Sequence, residues 1–142
     1  MIYKIGITFI GDDFYPKETI NQLKGDFIVM SQKSPTENDF GFLDLCHKYK
    51  FATEEHVLNY ESAYVDFILN NKDIFSAFKI TDIHLFYEIY YDGFQCNFSI
   101  LSSSQLKDIS CFNISLPVST YKLSQRKISL WSKEIKKSWG NI

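Results

Sequence analysis

Three histidines (His47, His56, His84), three cysteines (Cys46, Cys96, Cys111) and two acidic pairs (Asp12-Asp13, Glu54-Glu55) are the residues here that could hold a metal or move a proton. Their spacing argues against both. Cys46 and His47 are adjacent, and neighbours on a strand point to opposite faces, so one ion cannot take both without a bend. No HxH, HxxxH or CxxC spacing occurs. Asp12-Asp13 lacks the further oxygen ligands of a calcium loop and reads as a strand end and turn. Nucleophile and phosphate motifs are missing too: there is no GxSxG elbow and no GxxxxGK loop. Ser102-Ser103-Ser104 has a helix-capping explanation. The residues therefore lead us to expect no catalytic set, no metal and no cofactor, hence a protein that is not an enzyme.

Charge says more about partners. The formal net charge is −2, but residues 122–142 carry six basic groups against one acidic, a net +5, while residues 1–121 carry nine against sixteen, a net −7. An acidic body disfavours nucleic acid. It favours a basic protein partner, because complementary charge speeds and orients capture. No apolar run is long enough to cross a bilayer, so no membrane partner is expected. The N-terminal MIYKIGITFIGDD turns acidic too soon for a signal peptide. An odd number of cysteines without a CxxC pair fits reduced, buried thiols and a cytoplasmic protein. Oligomeric state is not legible.

The elements that must position these groups follow from periodicity. Residues 2–10 alternate as a half-buried strand. Pro16 opens a helix with Glu18 in its first turn and Gly25 as its stop. Phe27–Met30 reads as a strand, 31–39 as a mobile loop and Phe40–Cys46 as a strand. Thr53 is expected to cap a helix carrying Val57, Tyr60, Tyr64, Phe67 and Ile68 on one face, ended by Asn70-Asn71. Glu61 and Asp66 are placed on its solvated face. Residues 80–91 form the clearest strand, and Asp92-Gly93 predicts a tight hairpin to a partner strand over 94–100. Ser102 and Gln105 match a capping box, with Leu106, Ile109 and Phe112 as the buried stripe. Residues 114–120 alternate, and Pro117 favours an edge position. Residues 4–30 and 95–121 thus echo one β-α-β plan.

The resulting class is α+β: an antiparallel or mixed sheet in the order β-α-β-β-α-β-β-α-β, helices on one face. Residues 1–121 make the domain, and the basic extension 122–142 packs on it. Ile128, Trp131, Ile135 and Trp139 share one helical face there, although Lys127–Trp131 could also extend as a strand. Two tryptophans are costly to leave in water, so packing on the domain is favoured over a membrane surface.

FIGDDFYP near the start, followed in order by QCNFSI, a short helix and NISLPVSTY, resembles a bacterial family catalogued as domain of unknown function 4279. The likeness covers roughly residues 3–121. It departs in the middle, where the family often has a Trp-bearing strand and this chain has GFLDLC, and in the basic tail. The family has no established activity, so no catalytic residue carries over. What the resemblance implies is an immunity protein that binds and blocks a cognate toxin. Asp12, Asp13, Tyr15, Glu54, Glu55 and Glu61 are then the candidate partner contacts. A different reading stays open: a small-ligand or regulatory sensor with an aromatic pocket lined by Tyr87, Tyr90 and Tyr91.

Overall fold

The computed structural model describes residues 1–140; the last two residues of the basic extension lie outside the described residues. The strands are β1 (Ile2–Gly11), β2 (Phe27–Lys33), β3 (Gly41–His47), β4 (Ala52–Thr53), β5 (Asp82–Tyr91), β6 (Ile114–Ser115) and β7 (Val118–Lys122). The helices are α1 (Pro16–Thr19), α2 (Val57–Asn70), α3 (Lys72–Ala77), α4 (Ser103–Ile109) and α5 (Gln125–Trp139). The fold is α+β with a mixed sheet, as the patterning implies.

β1 is central because both of its edges are paired. It pairs antiparallel with β5 along its length, from Ile2 opposite Tyr90 to Ile10 opposite Asp82. On its other side β3 pairs with residues 7–11 and β4 with residues 2–3, so β3 and β4 share one interrupted column. β2 lies antiparallel outside β3, with a bulge at Met30. β6 and β7 share the column outside β5, parallel to it, and Pro117 sits in the break between them. That is the edge position proline tolerates: it has no N–H to give, and its carbonyl accepts from Tyr87 N at 2.9 Å.

The break between β3 and β4 leaves Ile5 of β1 without a strand partner on that side. Two tyrosines of the α2 stripe fill it. Tyr60 Oη accepts from Ile5 N at 3.2 Å and donates to Lys50 O at 2.8 Å. Tyr64 Oη donates to Ile5 O and accepts from His47 N at 2.9 Å. These hydroxyls replace the missing ladder bonds, which a buried backbone requires. Burial, the largest cause, pushes the Tyr60 pKa up to about 12 and that of Tyr64 further. Around them Ile7, Phe9, Leu45, Phe67, Ile68, Leu85 and Tyr87 complete the core. Asn71, fully buried, accepts from Lys24 N and donates to Lys24 O and Phe67 O, which ends α2 and clips the α1–β2 connection to it.

Several expectations need correction. The hairpin is not formed: residues 94–100 are not a strand, and Phe94 is fully exposed. Only Gly93 takes positive φ at that turn, and the place beside β5 belongs to β7, reached by a parallel crossover through α4. The β-α-β echo therefore fails in its second half. α2 starts at Val57, not at Thr53, because Thr53 is held in β4 opposite Ile2. β2 continues to Lys33, so the loop is shorter than 31–39. α1 is a single turn, followed by a 3-10 turn over Ile20–Gln22. Leu106 is exposed and Ile109 carries the α4 contact. The capping box holds: Gln105 N donates to Ser102 Oγ at 3.2 Å and Ser102 N to Gln105 Oε1 at 2.8 Å.

The extension is a helix, not a strand, and belongs to the same core. β7 runs past residue 121 to Lys122, and Ile128, Ile135 and Trp139 of α5 are buried. Trp139 lies among Tyr49, His56 and Tyr60 and donates from Nε1 to Phe51 O at 2.8 Å. Trp131 stays 36% exposed against Phe51 and Tyr90. All three cysteines are unpaired; only Cys46 is buried, Cys96 is half-buried and Cys111 exposed, against the expectation of three buried thiols. Among the described residues no helix is long and apolar enough to cross a membrane.

Candidate functional site

The strand period decides which residues meet on the face of the sheet turned away from α2. Lys4, Gly6, Thr8 and Ile10 of β1 stand beside Phe42, Asp44 and Cys46 of β3 and His84, Phe86 and Glu88 of β5. They line a hollow of about 580 Å³, closed at its rim by Met30, Phe40 and Lys50. Among the described residues no helix contributes to the lining. Gly6 makes the floor: a Cβ there would meet nothing nearer than Leu45 O at 3.8 Å, so the absent side chain leaves usable space. Phe86, Phe40 and Met30 remain substantially exposed.

Asp44 and Glu88 are the carboxylates of this lining. Asp44 accepts from Thr8 Oγ1 at 2.6 Å and from Ser31 Oγ. Glu88 pairs with Lys4 at 2.9 Å and accepts from the Tyr90 hydroxyl. Burial alone would raise the Glu88 pKa, but the Tyr90 and Lys4 contacts outweigh it and the net shift is downward. Burial lifts the Cys46 thiol above its ordinary range, so it is a poor nucleophile here. Among the described residues no three His, Cys, Asp or Glu side chains gather as a metal site needs. The arrangement can grip a shape with an apolar projection.

At one end of this face, Phe40 also borders an acidic groove of about 540 Å³ lined by Asp12, Asp13, Glu37 and Asp39. Asp13 pairs with Lys79 at 3.3 Å and Asp39 with Lys33. Asp12 and Glu37 make no ion pair among the described residues. Tyr15 is exposed just beyond, on the N-terminal side of α1. Glu54 and Glu55 are elsewhere. Glu54 pairs with the Met1 amino group at 3.1 Å and Glu55 with Lys136 of α5 at 2.6 Å. That is the opposite end of β1, separated by a ten-residue strand, roughly 30 Å at about 3.3 Å per residue.

Glu61 is not on a solvated face. It is 3% exposed, and its Oε1 accepts from Leu101 N at 3.2 Å. Burial is the leading cause that raises its pKa, above an ordinary value of 4.5. The folded chain thus binds that proton more tightly than the unfolded chain, and stability falls as pH rises between the two values. Glu61→Gln is expected to melt higher than the wild type at neutral pH, with the two curves meeting once pH drops below the ordinary carboxylate value. Thermal melts across that range measure it; a variant less stable at neutral pH would contradict this account of Glu61.

The aromatic pocket also comes apart. Tyr87 points into the core, whereas Tyr90 lies on the opposite face stacked on Tyr121. The floor of the hollow, Gly6, Thr8, Phe42, Asp44 and Phe86, escaped the sequence reading of candidate contacts. Its signal was the second face of the β1 and β5 alternations, which becomes a site only once β3 is known to lie beside β1. No family model matches this chain, and neither a curated protein nor a solved structure matches it.

Proposed function

We propose that this chain is a non-enzymatic immunity protein that neutralises a basic cognate toxin by direct binding in the cytoplasm. The observation that carries the reading is the continuity of an uncovered apolar hollow with an acidic groove through one residue, Phe40. An apolar centre with a charged rim is how protein interfaces are built. The rim's carboxylates call for a cationic partner. Such a role is also what the resemblance of FIGDDFYP, QCNFSI and NISLPVSTY to the domain of unknown function 4279 family implies. In this reading Asp12, Asp13 and Tyr15 are contacts, joined by Glu37, Phe40 and Phe86. Glu54 and Glu55 lie outside the contact, and Glu61 beneath the surface takes no part.

Co-expression with the products of adjacent open reading frames tests the role. One of them should arrest growth alone and be tolerated when this chain is present. If none is toxic by itself, the immunity reading has no basis.

A further inference from the structure

Glu61 forms part of a second cleft, about 520 Å³, between α2 and the segment 97–102. Val57 and Leu58 line it from α2, Phe98 and Leu101 from the segment, and Tyr3 from β1. Three features distinguish it from an ordinary surface dip. The Glu61 carboxylate is buried, and among the described residues no cationic group pairs with it. Leu101, whose N–H it accepts, has φ of 52°, a left-handed conformation uncommon away from glycine and costly to hold. The Tyr87 hydroxyl is buried beside Glu61, and its pKa is raised by burial first and then by the Glu61 charge and a hydrogen bond to it.

The hydrogen bond from Leu101 N satisfies one lone pair of Glu61, but a buried carboxylate without a counter-charge is unfavourable. We propose that this cleft binds a small primary amine with an apolar or aromatic body. Its ammonium meets Glu61, and its body lies among Leu58, Val57 and Phe98. An anion would be repelled by the carboxylate, and one carboxylate is too few ligands for a metal ion. The rings of Tyr3 and Phe98 in the lining favour a cation further. The cleft is separate from the hollow under Phe86, so its fate does not decide the toxin-binding role.

Titration of the full chain with benzylamine, followed by ¹⁵N NMR at the Leu101 and Ser102 amides, tests this against benzyl alcohol as the neutral control. Benzylamine should shift both amides saturably and bind at least about tenfold tighter than the alcohol, the difference a charge-assisted hydrogen bond makes. Glu61→Gln keeps an acceptor for Leu101 N but should lose that preference. Leu58→Lys, at a position 70% exposed where the fold tolerates change, should lose it as well by placing a tethered ammonium at the rim. The proposal is overturned if benzylamine binds no better than benzyl alcohol, or if Leu58→Lys leaves amine binding at the wild-type level.

Discussion

Gly41→Ala is expected to destabilise the protein by about 3 kcal/mol, lowering Tm by roughly 10 °C. Gly41 faces Gly11 across the β1–β3 pair. A Cβ on Gly41 would come to 1.9 Å from Phe14 O, and one on Gly11 to 2.1 Å from Lys79 O. Both obstacles are backbone, so neither can swing aside as a side chain would. The two glycines let the turn after β1 and the end of α3 close over the sheet, and that closure places Asp12 and Asp13 at the acidic groove. Gly6→Ala is the control: its Cβ would meet Leu45 O at 3.8 Å, an ordinary contact distance, and its melting point should stay close to that of the wild type. A Gly41→Ala protein that melts within 2 °C or so of wild type would refute this packing.

Trp139→Ala is the second large loss, about 3–5 kcal/mol. The ring is buried against Tyr49, His56 and Tyr60, and its Nε1–H satisfies Phe51 O in the break between β3 and β4. Truncation removes the packing and leaves that carbonyl without its donor. Trp131→Ala, one-third exposed at the start, should cost much less. Charge is a minor part of the anchorage: Lys136–Glu55 is an exposed pair of little worth. Chemical denaturation at low and high salt should return the same difference. A Trp139→Ala loss that vanishes in high salt would mean that lysines, not the indole, hold α5.

Local chemistry was legible where it depends on a few neighbouring residues. The Ser102–Gln105 capping box, Pro16 opening a helix, Pro117 at an edge and the α5 stripe all belong to this kind. What failed was pairing between distant segments. Asp92-Gly93 is a strong turn signal, yet β5 had a better neighbour in β7, and no local pattern could show that Val118–Lys122 returns parallel to it. Thr53 has the right side chain for a cap but is claimed by β1. Tyr60 and Tyr64 read as core residues; their bonding to Ile5 needs the β3–β4 break, which only the assembled sheet reveals. For the site, the acidic cluster at Asp12-Asp13 was visible and Glu61 was misplaced. Glu61 stands four residues after Val57 and three before Tyr64, on the buried stripe itself; its charge, not its spacing, put it on the solvated face, and the segment after β5 covers that side of α2 as well.

The hollow is best tested by affinity. With the toxin identified by co-expression, titration calorimetry of wild type, Phe86→Asp and the double variant Glu54→Gln/Glu55→Gln separates the two ends of the molecule. Phe86 is exposed, so the first variant should fold, as circular dichroism would verify. The account predicts that Phe86→Asp weakens binding by at least about thirtyfold, as loss of an interface anchor does, while the double variant binds like wild type. Wild-type affinity for Phe86→Asp, with binding lost in Glu54→Gln/Glu55→Gln, would place the partner at the opposite end of β1 and contradict the central claim.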